Sequence, residues 1–433
     1  MEKEFAGKKL LVIGAVPLES DIVKHAQAMG AHVAVLDYKE DSPGKKYADE
    51  KVLIDALDVD AIVDYCKKEK IDGVTTGFID LVLPTCYEVC KRLGLPYYVT
   101  PKMLSMSTNK IDFKETCMKY DIPVPVTYLV GSEIEESKFS EFVYPVFCKP
   151  LDASGSKGAA VCNNREELES QFEVACAFSK TGTAVIEEYI TGTEFLLDYI
   201  AVDGEFRLLS MFDRYMCDDR ESARNYANLS VAPSKALDNY LQNMNERIIT
   251  MFRDLGFKDG LIFLQGHTNG DKIIFYEMGC RLGGSFYNLE QECIECNPVD
   301  MIIRYAFTGK MVKDIKALDS KVSKFNKYAF SYNCLLGGED ETIAEIKGLE
   351  IINKLPSYIN SIQQRFVGSH YQKDGIVDKP LITVYLATAD LNVAIRDMKT
   401  LNEKIEAYNI DGKALLMQRI NPEQIMLEEY NDN

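Results

Sequence analysis

Between residues 9 and 100, short apolar segments alternate with amphipathic ones, and this alternation restricts the fold more than any other feature. KLLVIGA, AHVAVLDY and IDGVTTG are typical of buried strands, and a segment of helical character follows each of them. Strand–helix repetition predicts a parallel sheet covered on both faces. We therefore expect an α/β protein whose N-terminal domain, over residues 1–105, is a doubly wound parallel sheet.

The first strand-to-helix turn argues against a dinucleotide site. Gly14 is followed by Ala, Val and Pro, so the second and third glycines that let a backbone approach a pyrophosphate are missing. A hydride-transfer enzyme is disfavoured for this reason.

Beyond about residue 106 the pattern changes to hairpins. Asp203–Gly204 is a strong turn signal between two apolar segments, and Asn269–Gly270 indicates a second strand pair. These features predict an α+β domain over residues 106–310. Short strands and a helix near DLNVAIRDMKTLNEKIEAYN predict a C-terminal α+β subdomain over residues 311–433.

Charge and composition limit the partners. The 433 residues include 67 acids and 49 Lys plus Arg, for a net charge of −18, which argues against broad binding to nucleic acid or anionic lipid. The start runs from charges directly into a strand-like segment, and no apolar run is long enough to span a bilayer. We expect a cytoplasmic protein without nucleic-acid or membrane partners.

The 12 cysteines are scattered, and we expect them to be reduced thiols. Cys293 and Cys296 form one close pair, but neither a second pair nor a nearby His completes a zinc site. Two buried thiols of a helix are the favoured interpretation.

The segment YPVFCKPLDASGSKGAAV carries Lys149 inside an apolar strand, where a Lys is costly unless it meets an anion. The loop that follows offers backbone N–H groups, two hydroxyls and a second Lys, through Ser154, Gly155, Ser156, Lys157 and Gly158. Such a loop can cradle phosphates. A flexible surface hairpin loop is the simpler alternative.

A second basic position begins a helix. Ser107 or Thr108 can cap a helix that ends before Ile122–Pro123, which places Lys110 in the first turn. The helix dipole disfavours a cation there, and a bound phosphate would reverse that cost. A solvated surface Lys is the alternative.

Acidic side chains follow the next apolar strand. Glu187 and Glu188 end it, and Glu194 and Asp198 share one face of the strand beyond, because side chains alternate along a strand. One carboxylate suits the two hydroxyls of a ribose, and the backbone from Glu187 to Ile190 could bond an adenine edge. A solvated acidic edge strand is the alternative.

The late segment FYEMGCRLGGS contains Glu277 and Arg281, four residues apart among three glycines. Glu277 could hold a metal and Arg281 an anion, or the two could pair with each other on a solvated turn.

In this order the segments resemble the ATP-grasp superfamily, and more specifically its carboxylate–amine (L-amino-acid) ligases, across roughly residues 1–310. The pattern is a first Lys on a short helix, a second Lys in a strand before a Gly/Ser loop, an acid-rich hinge, and an acidic hairpin that ends in an Arg-Gly-Gly-like turn. Residues 106–310 would then be the ATP-grasp domain, with a lid at about 130–190.

The resemblance also implies residue roles. Lys110 and Lys149 would hold the ATP phosphates under a lid loop from Ser154 to Gly158. Glu187, Glu188 and Ile190 would belong to the adenine hinge, and Glu194 would bind the ribose. Glu277 and Gln265 would hold the metal. Arg281 and Lys149 would be the catalytic residues.

Two positions depart from the superfamily pattern, because Gln265 stands where an acid is usual and Gly279 where an Asn is usual. Magnesium can still be held by one or two carboxylates, waters and nucleotide phosphates. The hypothesis requires Gln265 and Glu277 on one face of the hairpin. A two-residue turn at Asn269–Gly270 would separate them, whereas a three-residue loop or an equivalent bulge would bring them together.

The function implied by the resemblance is an ATP-dependent ligase that activates a small-molecule carboxylate as an acylphosphate and joins it to an amine, which could be an amino acid. ATP and Mg²⁺ or Mn²⁺ would be the cofactors, and a homodimer is a common assembly in the superfamily. One alternative is bicarbonate activation like that of a biotin carboxylase. Another is a nucleotide-binding protein with reduced or lost turnover.

Overall fold

The structure, a computed structural model, describes residues 3–152, 158–216, 227–319, 325–338, 340–371 and 380–430. Within those ranges, none of the helices combines the length and the apolar character that crossing a bilayer requires.

The N-terminal part is a four-stranded parallel sheet in the order β3-β2-β1-β4. Its elements are β1 (Lys9–Ile13), α1 (Glu19–Ala28), β2 (His32–Leu36), β3 (Glu50–Val52), α2 (Val59–Glu69), β4 (Gly73–Thr75) and α3 (Leu83–Leu93). Leu10 and Val12 pack in the core on the α1 side, and Leu11 and Ile13 pack on the α2 and α3 side. The predicted doubly wound sheet is confirmed, and its order reverses between β1 and β4, where the carboxyl ends form a crevice.

Two short helices lead to a small antiparallel sheet of order β5-β8-β6-β7. The elements are α4 (Pro101–Thr108), α5 (Lys110–Lys119), β5 (Thr127–Gly131), β6 (Val146–Pro150), β7 (Ala160–Cys162), α6 (Arg165–Phe178) and β8 (Ala184–Glu188). One face of this sheet packs on α6, where Val146, Cys148 and Ile186 are fully buried.

A large sheet of eight strands follows. Its first strands are β9 (Thr193–Val202), β10 (Glu205–Met216), β11 (Ala227–Ala232), β12 (Gly260–Asn269) and β13 (Lys272–Gly279). The helices α7 (Leu237–Asn243) and α8 (Asn245–Asp254) precede β12, and α9 (Tyr287–Ile294) and α10 (Pro298–Thr308) follow β13. The hairpin predicted at Asp203–Gly204 is confirmed, since Val202 pairs with Glu205 and both turn residues have positive φ, 52° and 85°. The second hairpin exists, but its turn is Gly270–Asp271 and not Asn269–Gly270, because Asn269 pairs with Lys272.

The C-terminal elements extend the same sheet, whose order is β13-β12-β9-β10-β11-β14-β19-β17. They are β14 (Tyr328–Leu335), β15 (Glu341–Thr342), β16 (Glu345–Lys347), β17 (Tyr358–Gln363), β18 (His370–Tyr371), β19 (Pro380–Thr388), α11 (Leu391–Lys404), β20 (Glu406–Tyr408) and α12 (Pro422–Glu429). Short 3-10 helices lie at Pro43–Lys45, Asp80–Val82, Glu136–Glu141, Ile315–Leu318 and Leu349–Lys354. Pairing of β14 with β11 joins this region to the central strands.

Cys293 lies in α9 and Cys296 just beyond its end, and both are buried, reduced cysteines. Within the described ranges no group of three or more His, Cys, Asp and Glu side chains could hold a metal ion.

Candidate active site

The hairpin of β12 and β13 places Gln265 directly opposite Glu277. Below the turn the strands pair Gly266 with Phe275, and a one-residue bulge at Tyr276 then shifts the register. Residues directly opposite each other in an antiparallel pair share a face of the sheet. The register that the metal hypothesis required is therefore present, and a bulge produces it in place of a three-residue turn.

Gly279 faces Phe263 across the same hairpin, which explains the missing third ligand position. A Cβ added to Gly279 would lie 2.0 Å from Cε1 and 2.3 Å from Cζ of the Phe263 ring. A side chain at this position would therefore collide with a buried ring. The ring fills the space into which an Asn would project, and the guanidinium of Arg281 lies over it at 4.8 Å.

A buried cluster of basic side chains surrounds Glu187 in β8. Lys149 from β6 and Lys114 from α5 each form a salt bridge to one of its carboxylate oxygens, and Lys114 Nζ also donates to Thr127 Oγ1 at 3.2 Å. The three charged side chains retain less than a tenth of their exposure. Buried charges of this kind persist when they are paired and hydrogen-bonded.

Lys110 adds a third cation to this cluster. It is half-buried at the start of α5. Its pKa is lowered, mainly by burial and secondly by repulsion from Lys149, while attraction to Glu277 and Glu187 opposes this shift. Three lysines thus lie together, with Glu187 between Lys114 and Lys149, Glu277 close to Lys110, and Glu188 close to Lys114. Such a concentration of cations suits an anion such as a phosphate.

The N-cap of α5 is Asn109, whose Oδ1 accepts from the backbone N–H groups of Ile111 at 3.0 Å and Asp112 at 3.2 Å. The prediction of Ser107 or Thr108 as the cap was wrong. Both residues end α4, and their hydroxyls donate to the Leu104 carbonyl oxygen.

The hinge residues follow from the end of β8. The Glu187 side chain is committed to the two lysines, and Glu188 Oε2 accepts from Val126 N at 3.2 Å. β8 ends at Glu188, so Tyr189 and Ile190 lie in the connection to β9. The backbone of this connection is the part that an adenine edge could use.

Glu194, the expected ribose ligand, lies in β9 opposite Arg214 of β10 and forms a salt bridge with it. Burial raises the pKa of Glu194, while Arg214 and the Tyr276 hydroxyl oppose that shift. Asp198 is on the same face, opposite Ser210, as the alternation of the strand predicted.

The lid loop is only partly described. Ser154, Gly155, Ser156 and Lys157 lie outside the described residues. The Gly158 carbonyl accepts from Gln171 Nε2 at 2.8 Å, so the end of the loop is attached to α6.

Among the described residues, Arg281 forms its salt bridge with Asp80 and not with Glu277. Its Nε donates to Asp80 Oδ1 at 2.8 Å and its Nη2 to Oδ2 at 2.6 Å, while Nη1 donates to the Leu282 carbonyl at 2.6 Å. Burial lowers the pKa of Arg281, but attraction to Asp80, and to a smaller extent to Glu277, outweighs burial, so the pKa of Arg281 is raised. Glu277 and Arg281 are therefore neighbours in one site without forming an isolated ion pair.

Sequence reasoning missed three residues of this region. Lys114 follows Lys110 by four positions, so the helical period already placed both on one face. Asp80 carried no local signal. Glu19, at the start of α1, is fully buried, and its Oε1 accepts from Gly77 N and Phe78 N, both at 3.1 Å, and from Thr76 Oγ1 at 3.3 Å.

Replacing Glu19 with Gln should change how stability depends on pH. Burial raises the pKa of Glu19 from 4.5 to about 7, and its Oε2 finds no hydrogen-bond partner in the described part of the chain. The folded protein thus binds more protons than the unfolded chain between those values. The stability that Glu19 contributes is complete below pH 4.5 and is lost as the pH rises through 7, by about 3 kcal/mol.

Urea unfolding between pH 5 and 8 tests this expectation. The difference in unfolding free energy between wild type and Glu19→Gln should change steadily over this range, whereas Glu173→Gln on the exposed side of α6 should leave the profile unchanged. Parallel profiles for wild type and Glu19→Gln would contradict the expected protonation.

Comparison with known proteins gives related sequences and folds. Residues 109–286 match the family described as the carbamoyl-phosphate synthase L chain, ATP binding domain. A formate-dependent phosphoribosylglycinamide formyltransferase from Prochlorococcus marinus is 24% identical over 290 residues, covering 64% of this chain and 71% of the relative.

Two solved structures resemble nearly the whole chain. The L-amino acid ligase from Bacillus licheniformis is 17% identical with a TM-score of 0.77, over 93% of this chain and 99% of the ligase. The biotin carboxylase domain dimer of 2-oxoglutarate carboxylase from Hydrogenobacter thermophilus, solved with ADP, magnesium and bicarbonate, is 17% identical with a TM-score of 0.75, over 94% of this chain and 91% of that domain. At these identities the two structures establish the fold.

Proposed function

We propose that this chain, which has the ATP-grasp fold, is an ATP-dependent ligase that activates a carboxylate as an acylphosphate and joins it to an amine. The relatives support this class, since they are named as a formyltransferase that uses formate, an L-amino acid ligase and a carboxylase. An amino acid is our proposal for one of the two substrates.

The observation that carries the proposal is the convergence of three lysines, an opposed Gln–Glu pair and a buried Arg. Lys110, Lys149 and Lys114 lie beside Glu187, and Gln265 faces Glu277 near Lys110. Phosphoryl transfer needs positive charge around the equatorial oxygens and in-line positioning of the reacting groups. The lysines and Arg281 would supply the positive charge within an otherwise acidic protein.

The proposed reaction has two steps. A carboxylate oxygen of the substrate attacks the γ-phosphorus of ATP, and ADP leaves. The amine nitrogen then attacks the acyl carbon, inorganic phosphate leaves, and the amine gives up a proton. Lys110 and Lys149 would hold the ATP phosphates, and Arg281 would hold the reacting carboxylate or phosphoryl group through its planar guanidinium.

The residues present fit a magnesium ion that is held partly by the nucleotide. Glu277 offers a carboxylate and Gln265 an amide oxygen on the same face, and Mg²⁺ commonly binds one or two carboxylates together with phosphates and waters. Bound there, the ion would neutralise phosphate charge. We propose Mg²⁺ at this position, with Mn²⁺ as a substitute.

Changing the amide ligand into a carboxylate should strengthen metal binding. We expect Gln265→Glu to lower the metal concentration needed for half-maximal ATP protection against heat unfolding about tenfold, and Glu277→Gln to raise it by at least as much. Gln242→Glu adds the same charge on the exposed side of α7 and should change neither value. An unchanged metal requirement in both Gln265→Glu and Glu277→Gln would remove the hairpin from the metal site.

ADP release across a matrix of amino acids and small carboxylates, with Mg²⁺ and with Mn²⁺, tests the proposed function. The proposal predicts pairs in which ADP release depends on both a carboxylate and an amine, with a condensed product. Release that depends on bicarbonate and biotin would favour the carboxylase-like alternative, whose fold resemblance is nearly as close. ATP protection without ADP release from any pair would indicate a nucleotide-binding protein instead.

We also propose a homodimer, since the biotin carboxylase domain of similar fold was solved as one. Light scattering of the purified protein measures the assembly directly, and a monomer mass at micromolar concentration would contradict it.

A further inference from the structure

We propose that Asp80 is a positioning residue for the ligation reaction, and that its carboxylate orients the Arg281 guanidinium toward the reacting group. This inference rests on the proposed function, because Asp80 acts only through Arg281. Asp80 follows β4 of the N-terminal sheet and lies 201 positions before Arg281 in sequence. The inference thus gives the N-terminal part of the chain a role in a reaction assigned to the region of the β12–β13 hairpin.

The geometry fixes the guanidinium on three sides. The Asp80 carboxylate accepts hydrogen bonds from Arg281 Nε at 2.8 Å and Nη2 at 2.6 Å, and the Leu282 carbonyl accepts one from Nη1 at 2.6 Å. The centre of the Phe263 ring lies 4.8 Å from Arg281 Cζ. A guanidinium has five N–H donors, so these contacts in the described part of the chain leave two. The Arg281 side chain keeps 18% of its exposure, so it is not closed off completely from a ligand.

The backbone around both residues is joined as well. Asp80 begins a 3-10 helix after β4, at the crevice between β1 and β4. In the same region Leu282 N donates to the Gly77 carbonyl at 3.2 Å, and Tyr98 Oη donates to the Cys280 carbonyl at 3.2 Å. The Leu282–Gly77 bond therefore joins the segments 77–80 and 280–282, Tyr98 also contacts the second segment, and Asp80 lies where it can orient Arg281.

A bridge that merely joins two parts of the chain would look similar, and the protein contains one. Arg304 Nε and Nη2 donate to Glu4 Oε1 and Oε2 at 3.0 Å and 2.8 Å, with similar exposure of the two side chains. Glu4 and Arg304 thus have the same two-point geometry away from Lys110, Lys149 and Glu277. This pair provides the matched control.

Asp80→Asn should lower turnover about tenfold to a hundredfold and leave ATP protection against heat unfolding unchanged, because the guanidinium loses its two-point anchor. Asp80→Glu should recover part of the turnover, and Glu4→Gln should retain all of it. Turnover is measured both with the best substrate pair and as the slow ADP release with ATP alone.

A double-mutant cycle separates positioning from a structural role. Once Arg281 is Ala, the added change Asp80→Asn should reduce turnover no further, since Asp80 then has nothing to aim. Additive losses, normal turnover in Asp80→Asn, or an equal loss in Glu4→Gln would each overturn the inference.

A crystal structure of Asp80→Asn gives a measure that needs no substrate. We expect the guanidinium of Arg281 to leave its place over the Phe263 ring, and an unmoved guanidinium would overturn the inference. The proposed function fails separately, when no carboxylate–amine pair releases ADP, whereas normal turnover in Arg281→Ala would refute only the roles given to Arg281 and Asp80.

Discussion

Replacing Lys149 with Met should abolish the protection that ATP gives against heat unfolding and should lower turnover at least about a hundredfold. Lys149 is one of the two cations that bind Glu187, and it lies close enough to Lys110 to lower the pKa of that lysine. Without its charge, Glu187 keeps Lys114 as its salt-bridge partner, and the site loses one of the three cations proposed to attract the phosphates. The Met side chain keeps most of the apolar stem in β6, so the fold should persist.

The measurement is the midpoint of heat unfolding with and without ATP and Mg²⁺. Lys138→Met is the control, because Lys138 pairs with Glu141 at 3.0 Å on the exposed 3-10 helix of the same region. The control should keep its full ATP protection. Undiminished protection in Lys149→Met would exclude Lys149 from the nucleotide site.

Replacing Arg281 with Ala should preserve ATP protection and reduce turnover about 10²- to 10³-fold, the range found when one preorganised donor to a reacting oxygen is removed. Arg281 binds Asp80 and the Leu282 carbonyl, and its proposed ligand is the reacting carboxylate or phosphoryl group, so we expect ATP binding to depend mainly on the lysines. Asp80 keeps 38% of its side-chain exposure, and water can therefore solvate it when its partner is lost.

Two further variants make this result specific. Arg281→Lys keeps the charge but not the planar fork, and should remain at least tenfold below wild type. Arg304→Ala removes the comparable bridge to Glu4 and should turn over normally. Turnover in Arg281→Ala at the wild-type rate would refute the role proposed for Arg281.

The elements that local pattern determines were predicted well. Alternating apolar and amphipathic segments predicted the parallel sheet, and Asp203–Gly204 predicted its hairpin, because each of these signals lies within a few residues of the structure that it determines. The ATP-grasp resemblance was confirmed for the same reason, since its motifs are short and occur in a fixed order. Lys149 stands inside β6 as expected.

What the sequence did not reveal depends on contacts between distant parts of the chain. The bulge at Tyr276 decides which face Glu277 takes, and Gly266 lies so close to Phe195 that an added Cβ would be 2.5 Å from its ring. The partner of Arg281 comes from the N-terminal sheet, so no window around FYEMGCRLGGS could identify it. The cap of α5 was missed by one position because Ser107, Thr108 and Asn109 are all good caps.

The packing of Phe263 against Gly279 limits the routes by which this site could change during evolution. An Asn at 279 cannot enter while the ring occupies its space, and a smaller residue at 263 would first leave Arg281 without the surface on which it lies. Each single step should therefore disturb the packing of this site, whereas the two changes together would leave room for a side chain at 279. A lineage that acquired this pair would keep Gly279, because the order in which mutations must occur disfavours its replacement.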